Sequence, residues 1–459
     1  ASTPLALEGT AQLLRPSLLG IRLQHLQLSG RLKGGSYRLS TLLQPQGEGA
    51  LNLESQGRWG GPFALRANAR RFDADTLRQL TTLWPRWQNP SRRSWGNAKD
   101  LGSLIVDTLG QSLQNQLQAL ARAQAELVNS GRSGNQPSGN LQTRLRQLQA
   151  RVDADLTLEG ANLRQAQVDL AAKVHLWRRG NDQDLVLSET PLVARLKGAL
   201  IQGQGEMNLE QIPLALLAVL TPIPEELRGS LNLRGRYGLS QRRRDLDLEL
   251  SLQQAQLGST ALTLKRGQIK LVGDVLKLDL ALQPAGTQNS VDLAGLLPLD
   301  PNNPSLELRL ASRGDGLRFL TAVAEPDLSW RRGSADLQLL LRGSLNAPIA
   351  NGFLRIRNGE LGLIGQTMRD LEATVVFDFK QLEVQQLAAR VGSQGSLQAA
   401  GHLGLLTPSP SQPPLEVNLN QIPFNLPRIQ AMANGKVEIG GSLQNLELAG
   451  RVAIDQGSI

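Results

Sequence analysis

The chain has 459 residues, a formal net charge of +9 and no cysteine. The absence of cysteine excludes disulfides, thiol catalysis and cysteine-based zinc sites. Aromatic residues make up only 3% of the sequence, which argues against compact globules, and no apolar run reaches the roughly 18 residues that span a bilayer. The sequence starts at Ala1 without an initiator methionine, and we expect it to be a piece of a longer protein.

Residues 1–72 predict a series of strands, because short alternating segments are separated by glycine turns such as Gly34-Gly35. A short helix is expected from Thr76 to Trp84. Aspartates precede this segment as N-caps, and Pro85 stops it.

Residues 86–148 interrupt the strand pattern. Apolar residues at helical spacing predict an amphipathic helix over 98–128, then a link over 130–139 and a second short helix over 141–148. A cluster of tryptophans precedes the long helix: Trp84, Trp87 and Trp95. This insertion either packs along the open edge of a sheet, or acts as a gate over a groove or a contact with a membrane surface or partner.

Over most of the chain, leucine alternates with polar residues, and this period of two predicts strands with one apolar and one polar face. Leucine is not a preferred strand residue, but the pattern outweighs the propensity. We predict that one set of alternating side chains lines an apolar groove: Leu246, Leu248, Leu250, Leu252, Leu276, Leu278, Leu280, Leu282, Leu306, Leu308, Leu310, Leu337, Leu339, Leu341, Val375, Phe377, Phe379, Val417 and Leu419.

The predicted fold class is mainly β, an elongated curled sheet with a few short helices and one helical insertion. A sheet with one apolar face must hide that face, and few helices are available to cover it. About 30 strands at about 4.8 Å each give a sheet on the order of 140 Å long. Open twisted sheets of this size do not stay flat, so we expect the sheet to fold over an apolar interior.

A repeat of about 100 residues organises the second half of the chain. The leading glycines of three similar strands, Gly229, Gly333 and Gly435, are separated by 333 − 229 = 104 and 435 − 333 = 102 residues. Gln211-Ile212-Pro213 returns as Gln421-Ile422-Pro423, and 421 − 211 = 210. Such periods are typical of extended repeat architectures. The predicted units are a groove segment with a short helix, a helical insertion and three groove repeats, the last truncated: 1–85, 86–148, 149–235, 236–343 and 344–459.

The excess of basic residues has two interpretations. The basic runs lie in predicted turns, where they are either solvated loop charges or an attraction to anionic lipid headgroups. Nucleic-acid binding is disfavoured, because no aromatic residues are interleaved with the basic ones. These runs are Arg92-Arg93, Arg178-Arg179, Arg242-Arg243-Arg244 and Arg331-Arg332.

The sequence contains no recognisable catalytic motif. Its three histidines, His25, His175 and His402, lie far apart within strand-like segments, and no metalloprotease helix, Walker loop, nucleophile elbow or EF-hand loop is found. We therefore expect a protein that is not an enzyme and that uses no cofactor.

Segments over 327–348, 358–361 and 395–401 carry phrases such as Gly343-Ser344-Leu345-Asn346-Ala347-Pro348 in a fixed order. In the order of these phrases, the sequence resembles proteins of the TamB-type family, which is part of the AsmA-like group of bridge-like lipid-transfer proteins. The family also has a chloroplast inner-envelope counterpart tied to protein import.

The resemblance implies a curled sheet called a β-taco, whose apolar groove carries phospholipid across the periplasm between the inner and outer membranes. It also implies an N-terminal inner-membrane anchor and a TamA-like outer-membrane barrel as partner. We expect the anchor and the partner-binding portion to lie outside this chain.

Three functions remain open from the sequence. A lipid conduit agrees with the leucines, since shielding an acyl chain from water is worth about 0.8 kcal/mol per CH₂. The second is a scaffold or chaperone in outer-membrane protein assembly or translocation, which would hold unfolded strands by β-augmentation. The third, a β-helical adhesin or an outer-membrane barrel, is disfavoured by the missing rung period and the few aromatics.

Overall fold

The computed structural model describes residues 6–18, 21–73, 148–178, 185–216, 227–240, 244–319, 328–363, 366–408, 412–426, 429–443 and 445–458. This part of the chain is nearly all β, as the sequence predicts, and contains no complete α-helix. A 3-10 turn, Leu163–Gln165, follows one strand. The helices expected over 76–84, 98–128 and 141–147 lie outside the described residues, while Leu148 itself begins a strand.

The described residues form 25 strands, numbered along the chain. The first nine are β1 (Ala6–Leu14), β2 (Ser17–Leu18), β3 (Ile21–Lys33), β4 (Ser36–Pro45), β5 (Ala50–Arg58), β6 (Phe63–Asp73), β7 (Leu148–Gly160), β8 (Gln167–Arg178) and β9 (Leu185–Val186). The next eight are β10 (Leu192–Ala199), β11 (Gly203–Pro213), β12 (Leu227–Leu239), β13 (Arg244–Leu257), β14 (Thr260–Val272), β15 (Val275–Pro284), β16 (Val291–Pro298) and β17 (Leu306–Ser312). The last eight are β18 (Leu328–Ser344), β19 (Ala347–Leu363), β20 (Gln366–Phe379), β21 (Gln381–Val391), β22 (Gly395–Gly404), β23 (Leu415–Leu426), β24 (Ile429–Ser442) and β25 (Asn445–Ser458).

All strands belong to one antiparallel sheet that does not close on itself. If β2 and β9 are left out, each of the other 23 strands pairs with the next one along the chain, from the pair β1–β3 to the pair β24–β25. The two-residue strands β2 and β9 attach to β3 and β8. Several strands are longer than the sequence estimate allowed, up to 17 residues in β18 and β19.

Because successive strands run in opposite directions, their connections alternate between two long edges of the sheet. At one edge, which we call the insertion edge, β6 ends at Asp73 and β7 begins at Leu148. At the other, the hairpin edge, tight turns join strands, as between Lys33 and Ser36. The connections across residues 74–147, 217–226 and 320–327 all start and finish at the insertion edge.

A row of β-bulges runs beside the insertion edge. At each one, two consecutive polar residues interrupt the alternation, and the second has a positive φ. The backbone then resumes with the opposite parity, so that the apolar side chains beyond the bulge stay on the same face. The positive-φ residues are Arg71, Gln211, Gln254, Asn358, Asp370 and Gln421, with φ of 46°, 61°, 50°, 48°, 51° and 48°. Bulges bend a strand and increase its twist, so the row bends the sheet along this edge.

Four of these bulges are held by side-chain oxygens of the next strand, which we call the bulge acceptors. Each accepts the backbone N–H of a positive-φ residue. The pairs are Arg71 to Asp153 Oδ1 (2.7 Å), Gln211 to Asn232 Oδ1 (2.8 Å), Asn358 to Glu372 Oε1 (2.7 Å), Gln421 to Asn434 Oδ1 (2.7 Å) and, just past β17, Gly314 to Asp336 Oδ1 (3.1 Å). A donor that the irregular ladder leaves unpaired is therefore satisfied locally.

Part of the sequence repeat has a structural counterpart. Gln211 and Gln421 occupy equivalent bulges and bond to equivalent asparagines. Gly229 and Gly333, with φ of 101° and 110°, face the bulges on the next strand, where a Cβ would lie 2.5 Å and 2.8 Å from a carbonyl oxygen. Gly435 differs, because it follows the bulge acceptor Asn434 instead of preceding one by three residues. The regular repeat of about 100 residues stays a prediction.

We expect Asn232→Ala to leave the Gln211 N–H without its acceptor, at a cost of about 1 kcal/mol. Hydrogen exchange at this amide should become faster, as measured by mass spectrometry of the peptide that contains it. Asn52→Ala is the matched control, since the Asn52 side chain bonds only to the exposed Glu54 carboxylate. Unchanged exchange at Gln211 would contradict the role of the acceptor.

Asp336 should make stability depend on pH. The Gly314 N–H, and then the hydrogen bond and charge of Arg357, hold the pKa of this carboxyl below its ordinary value despite partial burial. Its stabilising contribution is therefore full above the unfolded pKa of about 3.9 and is lost as the pH falls through the lower folded value. The difference in Tm between wild type and Asp336→Asn should decrease as the pH falls from 5 through the folded pKa of Asp336. Asp378→Asn, at the exposed end of β20, should change Tm little throughout.

Candidate functional site

The strand register brings the predicted groove residues to one face of the sheet. In an antiparallel ladder, directly opposite residues share a face. Leu248 lies opposite Ile269, and Ile269 lies opposite Leu278. On the following strands Leu308 lies opposite Leu341. The same tracing continues without a change of side from Leu7 in β1 to Ile454 in β25, and we call this surface the apolar face.

The predicted groove residues differ in burial. The buried ones are Leu246, Leu248, Leu276, Leu278, Leu306 and Leu337. Those with intermediate exposure are Leu250, Leu252, Leu280, Leu282, Leu308, Leu310, Leu339, Leu341, Val375, Phe377, Val417 and Leu419. Phe379 departs from the set: it ends β20 with a φ of 56°, and 57% of its surface is exposed. Its register partner is Ala350, so Phe379 lies at the exposed end of the apolar face.

The apolar face is almost free of charge. Within the described strands, the only charged residues in register with the apolar face lie at strand ends. They are Arg178, the last residue of β8, and Arg244, the first residue of β13. Small hydroxyl groups such as those of Thr41 and Ser55 are the main polar features within it. The surface therefore offers apolar contact and little to fix an ion.

The opposite face carries the charges. Lys270 lies 3.2 Å from Asp247, and Arg266 lies 3.1 Å from Asp279 and 3.0 Å from Asp292. These pairs are exposed to water, so each contributes little to stability. Their effect is to keep this face solvated and to fix which side of the sheet is apolar.

The apolar face is buried by its own neighbours. One cluster joins Tyr237, Leu246, Leu248, Leu271 and Leu276, which come from adjacent strands of the same sheet. Within the described residues, the extensive strand contacts are between sheet neighbours, together with β22–β24 and β21–β23. The Tyr237 hydroxyl donates to the Ala199 carbonyl at 3.0 Å, and burial raises its pKa.

The terminal strands leave the apolar face open. In β1, Leu7 is 59% exposed, and in β25, Leu448 and Ile454 are 71% and 63% exposed. Each of these strands pairs on one side only. The apolar face thus reaches both ends of the described sheet without being covered.

A line of glycines marks the apolar face near the hairpin edge. Gly295, Gly352, Gly401 and Gly450 have φ of 140°, 150°, 135° and 148°, and each lies three to five residues from that end of its strand. A Cβ on Gly352 would lie 2.0 Å from the Gln338 carbonyl oxygen. Only glycine permits this backbone and this close approach. Glycine kinks of this kind give a sheet local curvature.

A cavity of about 930 Å³ lies over the first strands at the hairpin edge. Its walls are the apolar face of β1, β3, β4, β5 and β6, the turn between β5 and β6, and the start of the 3-10 turn. Its apolar lining is Leu7, Leu32, Tyr37, Leu39, Trp59, Phe63 and Leu163. A shallower depression of about 430 Å³ continues from it through Gly9, Gly30 and Leu39.

In the described residues, no group of three or more His, Asp or Glu side chains is placed to hold a metal ion. The histidines stay apart, on β3, β8 and β22. Within the same residues, no helix is long and apolar enough to cross a membrane.

Comparisons with protein-family models, with curated proteins and with solved structures find no match to this chain. The fold and the apolar face are therefore the observations from which its function is argued.

Groove segments were predicted over 1–85 and 149–235, but no individual groove residue before Leu246 was named. The signal was present, since Leu26, Leu28 and Leu32 alternate with polar residues as the later leucines do. The cavity was not predicted, because Tyr37 and Phe63 lie on different strands and meet only through the register.

We expect Gly352→Ala to be strongly destabilising, because the new methyl group meets backbone and φ is unsuited to an L-residue. A loss of several kcal/mol, seen as a fall in Tm or a failure to accumulate folded protein, is the expected result. Gly47→Ala is the control: nothing lies within 4 Å of its Cβ position, so Tm should barely change. Equal Tm values for both variants would refute the glycine line as a constraint.

Proposed function

We propose that this chain is a segment of a bridge-like lipid-transfer protein of the TamB type, in which the apolar face forms a groove for phospholipid acyl chains. The observation that carries the proposal is an almost uncharged apolar face continued through 23 paired strands and open at both ends. A closed enzyme pocket needs no such length. A path for an apolar ligand does.

The groove arises from curling of the single sheet into repeated β-taco units. Two features support the curl: the row of bulges at the insertion edge and the line of kinked glycines near the hairpin edge. A third is burial, because Leu271 and Leu276 are 2% and 6% exposed although no second sheet packs on them in the described residues. A flat sheet would leave both side chains open to water.

The chemistry of the apolar face suits transport. Each acyl CH₂ kept out of water is worth about 0.8 kcal/mol, so the groove offsets the cost of removing a lipid from a membrane. Because the lining is aliphatic and nearly uncharged, successive positions are similar in free energy and a chain can slide between them. The polar headgroup stays in water at the groove mouth, where no desolvation of its charge is required.

The proposed setting is the periplasm of a cell envelope. The groove takes phospholipids between the inner and outer membranes, with an N-terminal membrane anchor and a TamA-like barrel contacted by regions outside this chain. With 22 spacings of about 4.8 Å, the paired strands extend on the order of 100 Å. This length suits a bridge better than a shuttle.

A second candidate is a scaffold or chaperone in outer-membrane protein assembly or translocation. It is favoured by β25, whose outer edge is unpaired among the described residues and whose Leu448 and Ile454 are exposed. An unfolded strand of a client protein adds to such an edge by β-augmentation.

Leu339→Glu tests the conduit, with Leu340→Glu as its matched control. Leu339 is on the apolar face opposite Leu310, whereas the adjacent Leu340 is on the other face opposite Arg309. A buried carboxylate disfavours acyl chains, so Leu339→Glu should lower the number of phospholipids that co-purify, counted by native mass spectrometry. Leu340→Glu should retain them.

The folded state of both variants is checked by circular dichroism. Lipid-free wild-type protein that binds unfolded barrel strands would replace the conduit with the scaffold. Equal lipid loss in both well-folded variants would remove the assignment of the groove to this face.

A further inference from the structure

The cavity over β1 to β6 differs from the rest of the apolar face by its aromatic lining. Tyr37, Trp59 and Phe63 come from three neighbouring segments and meet at the hairpin edge. In a chain with 3% aromatic residues, this concentration sets the cavity apart. Rigid rings fix a ligand chain more firmly than the leucines elsewhere, because they add contact area with little loss of side-chain entropy.

The rim of this cavity carries two arginines and one glutamate, Arg58, Arg31 and Glu8. Arg31 has a carboxylate partner at 3.5 Å, Glu8. Arg58 shows no side-chain hydrogen bond or ion pair within the described residues, so its guanidinium is available to a ligand anion.

Trp59 joins the apolar lining to this rim. It is 84% exposed, although it is the largest side chain of the site. Its backbone N–H donates to the Gly35 carbonyl at 2.8 Å, which ties the tip of the β5–β6 turn to the tip of the β3–β4 turn. Tryptophan is suited to the boundary between acyl chain and headgroup, because its ring is apolar and its indole N–H is polar.

We propose that this cavity is a discrete binding site for one anionic phospholipid. One acyl chain lies along Leu7, Leu39 and Phe63, Trp59 covers its first carbons, and the Arg58 guanidinium binds the headgroup phosphate. The proposal rests on the groove function above and adds a place where lipid is held and selected by charge. Arginine is suited to this role because its planar fork binds phosphate oxygens in pairs.

The dimensions agree with one acyl chain. The cavity crosses the five strands β1, β3, β4, β5 and β6, which at about 4.8 Å per spacing is about 19 Å. One leaflet of a bilayer core is about 15 Å thick, half of its full hydrocarbon thickness. A chain that fills one leaflet therefore fits along the cavity with its headgroup at the rim.

The test uses the full chain in detergent micelles that contain phosphatidylglycerol with brominated acyl chains. Bromine quenches tryptophan fluorescence on contact, and the signal of Trp59 is isolated as the difference between wild type and Trp59→Phe. We expect strong quenching of that difference. Arg58→Gln should weaken retention of phosphatidylglycerol about tenfold and leave phosphatidylcholine unchanged. Arg38→Gln is the charge-matched control and should change neither, because Arg38 does not line the cavity and its guanidinium bonds to Gln56.

Two results would overturn the site: a Trp59 signal that bromolipid does not quench, or equal effects of Arg58→Gln and Arg38→Gln. The outcome also separates this proposal from the groove. If lipids co-purify and Leu339→Glu removes them while Trp59 stays unquenched, the groove stands and the site falls. If Trp59 is quenched and Leu339→Glu removes no lipid, the site stands and the groove falls.

Discussion

The structure depends on one constraint: a single sheet has an apolar face and, within the described residues, no second layer to cover it. Burial of that face is the main favourable term available to a chain with so few aromatic residues. The backbone meets the constraint by bending. Kinked glycines such as Gly295 bring neighbouring strands close on the apolar side, and bulges such as that at Gln211 keep leucines on that side while the strand turns.

Polar groups make the bending specific. At four of the bulges a side-chain oxygen binds the N–H that the ladder leaves over, so the irregularity costs little in unsatisfied hydrogen bonds. The charged pairs on the other face, such as Lys270 with Asp247, add little energy but exclude a register in which the faces are exchanged. The bulges and glycines bend the sheet, and the charged residues determine which of its faces is exposed to water.

Sequence alternation was sufficient for the fold class and for most of the apolar face, because a period of two fixes the side of every residue between two bulges. It was insufficient for Gly435, which resembles Gly229 in sequence but not in its position beside a bulge. The cavity could not be predicted from the sequence for another reason. Tyr37 and Phe63 come together through strand pairing, which a single sequence does not report.

The connectivity of the sheet has a mechanical consequence. Its strands lie side by side, so the backbone hydrogen bonds between them point along the length of the molecule. A pull between β1 and β25 passes through the ladders in series. The shortest ladder, between β22 and β23, is bypassed by a direct link from β22 to β24 at Gly404 and Ser442. The next shortest ladders join β10 to β11 and β16 to β17, with six residue pairs each, and under tension the sheet would separate at one of these first.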